Sequence, residues 1–180
     1  MIRKSRYWKK QLLEIAERLR SLKTVELEEI IEDDDRFAQI ERDIFVGFYS
    51  VRKLFDAVVV VTDATRFLKL SISWYPNLNQ VTWINNDRVD ELYDLASQRQ
   101  ETRDVQFIIG RIIHSFVFMS DFGEQGLAGI LFSSDTDKNK KLYAMKIDDV
   151  ITLFERVGND NPTHIHWSVT PTGEELTEVR

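Results

Sequence analysis

Residues 36–57, RFAQIERDIFVGFYSVRKLFDA, constrain this chain more than any other stretch. Phe37, Ile40, Ile44, Phe48, Val51 and Phe55 recur at helical spacing on one stripe, and Phe45 and Leu54 widen it. A helix this long and this aromatic can bury its stripe only in the middle of a core. The rest of the chain must then be arranged around it.

Two further patterns set the fold class. The segment Ser5 to Leu22 carries Trp8, Leu12, Ile15, Ala16 and Leu19 at helical spacing, with Ser5 as the expected N-cap. RFLKLSISW (66–74) alternates instead: Leu68, Leu70, Ile72 and Trp74 point one way, and Lys69, Ser71 and Ser73 the other, as in a half-buried strand. YPNLNQ (75–80) is a turn, and the next two segments, RVDELYDLASQRQ (88–100) and ETRDVQFIIGRII (101–113), are predicted as helices. HSFVFM (114–119) is predicted as a strand, and LAGILFSS (127–134) with KKLYAMKI (140–147) as a hairpin around DTDKN. Asp148 is expected to cap a short helix, DVITLFERV (149–157), with Gly158 at its C′ position.

This order predicts an α+β fold in a single domain: a small, mostly antiparallel sheet of about five strands with helices packed on one face, plus an N-terminal helix. The expected organisation is an N-terminal amphipathic helix and acidic connector over 1–32, a globular domain over 33–170 and a polar tail over 171–180. The connector follows from ELEEIIEDDD (26–35), which holds seven acidic residues in ten and reads as a solvated stretch.

Composition excludes several functions. With 24 basic and 30 acidic residues the net charge is −6, which disfavours general nucleic-acid binding and anionic membranes. The chain has no cysteine, so disulfides, thiolate metal sites and a cysteine nucleophile are ruled out. That also fits a reducing, cytoplasmic setting. MIRKSRYWKK is basic but no apolar segment follows it, so a secretory signal is not expected. AVVVV (57–61) is too short to span a bilayer.

Short motifs fail on particular residues. Asp135, Asp137 and Asn139 match a calcium loop, but Lys140 and Lys146 stand where its glycine and its bidentate acid belong. DFG (121–123) has no accompanying Gly-rich or catalytic loop, and Walker, GxGxxG and GxSxG motifs are absent. His164 and His166 lie two apart on a predicted strand and share a face, the geometry of two metal ligands. Zinc needs a third, for which His114 is the one remaining histidine. Ile165 and Trp167 supply the opposite, apolar face, so surface histidines explain the pattern, and neither a metal nor a cofactor is expected.

The most suggestive signal is charge inside apolar stripes. On a helical projection Glu41 and Arg52 fall on the apolar face of the 36–57 helix. Glu101, Asp104, Arg111 and Ser115 form a polar stripe on the 101–116 segment, bordered by His114. Side-by-side packing would let Arg52 meet Glu101 or Asp104, and Glu41 meet Arg111. That arrangement is either an internal salt-bridge network or an acid/base site. In the second case Glu41, Asp104, Arg111 and His114 are the candidate catalytic residues of a small hydrolase or nuclease, with Arg52 and Glu101 binding.

The function expected first is non-catalytic: a cytoplasmic interaction or regulatory protein that self-associates or binds a protein partner. The stripe Trp8, Leu12, Ile15 and Leu19 needs cover, and the basic residues Arg3, Lys4, Arg6, Lys9 and Lys10 complement the acidic connector.

Overall fold

The computed structural model describes residues 4–25, 27–31 and 34–180. Arg3 of the basic cluster and Glu26, Glu32 and Asp33 of the acidic run lie outside them. The helices are α1 (Ser5–Ser21), α2 (Leu27–Ile31), α3 (Asp34–Phe55), α4 (Asp63–Arg66), α5 (Val89–Leu92), α6 (Val105–Ile113) and α7 (Ile147–Asn159). The strands are β1 (Lys69–Pro76), β2 (Arg99–Asp104), β3 (Ser115–Gly123), β4 (Gly126–Ser134), β5 (Lys141–Lys146), β6 (Ile165–Val169) and β7 (Glu175–Val179). No helix among the described residues is long and apolar enough to cross a membrane.

The long helix α3 is central, as its stripe demands. Ile40, Ile44, Phe48 and Val51 are fully buried and Phe55 nearly so. Its Phe45 ring packs on Phe118 of β3 at 4.6 Å and Phe48 meets Phe154 of α7 edge-on at 5.1 Å. The first helix is not a free arm: Leu12, Ile15, Ala16 and Leu19 join the same core cluster as α3, α7 and β4. Its approach to α7 is close because Gly158 has no side chain, and a Cβ there would press on Leu13 and on the Lys9 carbonyl.

Five strands form an antiparallel sheet in the order β2-β1-β5-β4-β3, giving the α+β architecture. Pairing puts Arg99, Trp74, Tyr143, Phe132 and Phe118 in one row across it. Phe132 and Tyr143 belong to the core beneath the helices. The opposite face is partly covered by the 77–98 segment, whose Val81, Leu92 and Tyr93 pack on Val117, Leu131 and Leu142. Strands β6 and β7 pair only with each other.

Several local expectations need correction. Of the helix predicted over 88–100, only Val89–Leu92 is helical, because the chain beyond it bonds back to the first strand: Asp94 N–H donates to the Pro76 carbonyl at 2.9 Å. Residues 99–104 are the strand β2 and not the start of a helix. Edge pairing with β1 takes their backbone groups, and Asp104 then caps α6 by accepting from the Phe107 N–H at 2.7 Å. Lys146, not Asp148, occupies the N-cap of α7, and Gly158 lies inside that helix. Lys4, not Ser5, is the N-cap of α1. The polar tail holds β7, whose Val179 is buried, and the acidic stretch holds α2, anchored by fully buried Ile30.

Candidate functional site

The charged residues singled out in the sequence separate into two places. The first is a cleft of about 310 Å³ between α3 and α6, lined by Arg52, Phe55, Asp56, Gln106, Ile109, Gly110 and His114. A side chain at Gly110 would meet nothing within 4 Å, so this turn of α6 leaves the cleft open. Arg52 and His114 are both exposed on its rim. They are the two of the six candidates that share a cleft.

The expected pairing across α3 and α6 does not form. Arg52 is exposed and Glu41 half-buried, and neither side chain makes a hydrogen bond or ion pair among the described residues. Asp104 is spent on the cap of α6. The cause is the helical projection of 101–104, which are extended: a strand turns each successive residue by about 180°, not 100°. Glu101 therefore points away from where a helix would have put it.

The second place is the crook where β2 turns into α6 above the start of β5. Alternation along β2 puts Arg99, Glu101 and Arg103 on one face of this edge strand. Glu101 accepts from Arg103 Nε at 2.8 Å and from Lys141 Nζ at 2.5 Å. Burial pushes its carboxyl up, but those two hydrogen bonds and the charges behind them outweigh it and hold Glu101 below its ordinary value. Arg111 Nε lies 2.5 Å from Asp137 Oδ2. The Arg103 and Arg111 guanidinium carbons stand 4.7 and 4.5 Å from the Phe107 ring centre, and Lys141 lies 4.2 Å from that of Trp74. Phe107 meets Tyr143 edge-on at 5.9 Å.

Arg103, Lys141 and Tyr143 escaped sequence reasoning, and Asp137 stood out only as part of a calcium-loop match that fails. One signal was present: opposite charges two apart in RQETRD share a face only if that segment is extended.

The two strand histidines are in a third place. His164 and His166 lie on the exposed face of β6 that also carries Glu178 and Arg180 of the facing segment. Glu178 is engaged by Arg180 at 2.7 Å, and His114 sits at the C-cap of α6, in the α3–α6 cleft. The three histidines are thus not brought together, and no group of three His, Asp or Glu side chains among the described residues is placed to hold a metal ion. The opposite face of β6 departs from expectation: Ile165, Trp167 and Val169 are 55, 59 and 50% exposed.

Compared with protein-family models, curated proteins and solved structures, the chain matches none.

Proposed function

We propose that this chain is a non-catalytic interaction protein that pairs with a second copy of itself through the free edge of β6, in a cytoplasmic setting that its lack of cysteine suits. One observation carries the reading: the edge is self-complementary. His164 and Arg180 exchange both backbone bonds, at 2.8 and 2.9 Å, and the Thr170 N–H donates to the Glu174 carbonyl. In an antiparallel pair such bonds alternate, so the even-numbered residues of β6 face β7. The amides of Ile165, Trp167 and Val169 then face outward.

A second copy related by a two-fold axis at Trp167 would set Ile165 against Val169 of its mate and Trp167 against Trp167. Every apolar side chain on that edge meets another. IHWSV carries no acidic or lysine side chain to block pairing, whereas β7 carries Glu175 and Glu178 and its outward Val179 N–H is already taken by Asp63 Oδ2 at 3.0 Å. A two-stranded hairpin is marginal by itself, and a four-stranded sheet would support it. The first helix has no part in this reading, since its apolar stripe is covered within its own chain.

The interface is small, so the expected affinity is micromolar. Sedimentation over a concentration series should show the average mass rising toward a dimer. Trp167→Glu, which puts two carboxylates together on the axis, should hold the chain as a folded monomer. A wild-type chain that stays monomeric throughout the micromolar range, or a Trp167→Glu variant that dimerises equally well, refutes the proposal.

A further inference from the structure

The crook beside Phe107 carries more positive charge and more unused donors than a closed structural network needs. Arg99, Arg103, Arg111 and Lys141 surround two carboxylates, Glu101 and Asp137, a local excess of two positive charges in a chain whose net charge is −6. The nearby Asp104 is turned to the cap of α6, and Asp135 is paired with Lys138. Arg103 uses Nε on Glu101, whereas Arg111 Nε lies 2.5 Å from Asp137 Oδ2 but is buried without a well-aligned hydrogen bond. Their terminal amino groups have no acceptor among the described residues. Both guanidinium carbons lie against the same ring, 4.7 and 4.5 Å from its centre.

Tyr143 supplies an independent observation. The residue is 2% exposed, and its hydroxyl makes no hydrogen bond among the described residues but keeps contact with solvent at the surface of the crook. Solvent or a ligand is left to pair it. Its ring stands edge-on to Phe107 at 5.9 Å, the ring that both the Arg103 and Arg111 guanidinium groups lie against. Burial, with the two carboxylates, pushes the phenol up to about 12. At neutral pH it is therefore a proton donor.

We propose that this crook is a phosphoryl-binding site, in which the terminal amino groups of Arg103 and Arg111, Lys141 Nζ and the Tyr143 hydroxyl converge on the phosphate oxygens of a small ligand. The aromatic floor of Phe107 and Trp74 keeps the cations partly desolvated, which strengthens their hold on an anion. Nothing in the site requires dimerisation, so it stands or falls apart from the β6 contact.

Calorimetric titration of the full chain with inorganic phosphate at low ionic strength tests this, with acetate as the comparator at equal ionic strength. Saturable binding at one site per chain is expected, with acetate much weaker. Arg111→Gln should weaken binding by about tenfold or more, the loss expected of a charge-assisted contact. Tyr143→Phe removes only the unpartnered hydroxyl, so it should leave thermal stability unchanged or raised and still weaken phosphate binding several-fold. A purely structural network would leave binding indifferent to that change. Absence of saturable binding up to about 10 mM phosphate, or equal affinity in wild type and Tyr143→Phe, overturns the proposal.

Discussion

Replacing Arg18 by methionine should cost this protein more than almost any other surface-reaching substitution. Asp43, on the flank of α3 that faces α1, is 3% exposed, and its carboxylate is held by three donors. Arg18 Nε and Nη2 reach its two oxygens at 2.8 and 2.9 Å, and Gln39 Nε2 reaches one of them at 2.7 Å. The hydrogen bond to Asp43, against a smaller effect of burial, raises Arg18 above its ordinary value. Arg18→Met removes both charged donors and leaves a carboxylate in the α1–α3 seam with one amide. Breaking a fully buried pair in this way costs about 3–5 kcal/mol. The Arg18 side chain is 45% exposed, so water can follow it in, and about 2–3 kcal/mol is the better figure. At this chain length that lowers Tm by about 4–12 °C. The reverse change, Asp43→Leu, frees an arginine that can rehydrate and should cost less. The double variant Arg18→Met, Asp43→Leu should return to within about 1 kcal/mol of wild type. Urea denaturation followed by circular dichroism measures all four corners of the cycle. A loss below about 0.5 kcal/mol in Arg18→Met, or a double variant no better than that single one, would falsify the reasoning.

Gly47→Ala tests the contact between α3 and α7. The new methyl would collide with the fully buried Phe154 ring, costing about 1–3 kcal/mol, against about 1 kcal/mol gained in helix propensity. A net loss that Phe154→Leu relieves is expected from denaturation curves, and a stabilised Gly47→Ala would contradict it. Burial pushes both Tyr93 and Tyr143 up to about 12. A phenol raised by folding contributes stability that is present below the unfolded value of about 10 and is lost as pH rises through about 12. Absorbance at the phenolate band should gain two late steps near pH 12, and Tyr93→Phe and Tyr143→Phe should each delete one. Two steps that persist in both variants would show that other groups produce them.

The sequence by itself determined which segments must be inside. The α3 stripe, the Leu12 to Leu19 stripe and the β1 alternation are each legible because one periodicity repeats over several residues and burial enforces it. Those patterns gave the α+β class, the central helix and the antiparallel character of the sheet. Tertiary structure decided what short or polar segments do. RQETRD carries too little apolar pattern to announce a strand, and it becomes one because the edge of β1 offers backbone partners. ELTEV becomes β7 for the same reason, with Val179 as its anchor. The Asp43–Arg18 seam and the crook around Tyr143 join residues 25 and about 40 positions apart, so no local spacing records them. Of the six candidates Glu41, Arg52, Glu101, Asp104, Arg111 and His114, only Glu101 and Asp104 lie on an extended segment, where a helical angle does not apply. A single boundary, at Asp104, decides which way Glu101 points, and backbone hydrogen bonding across the sheet sets that boundary.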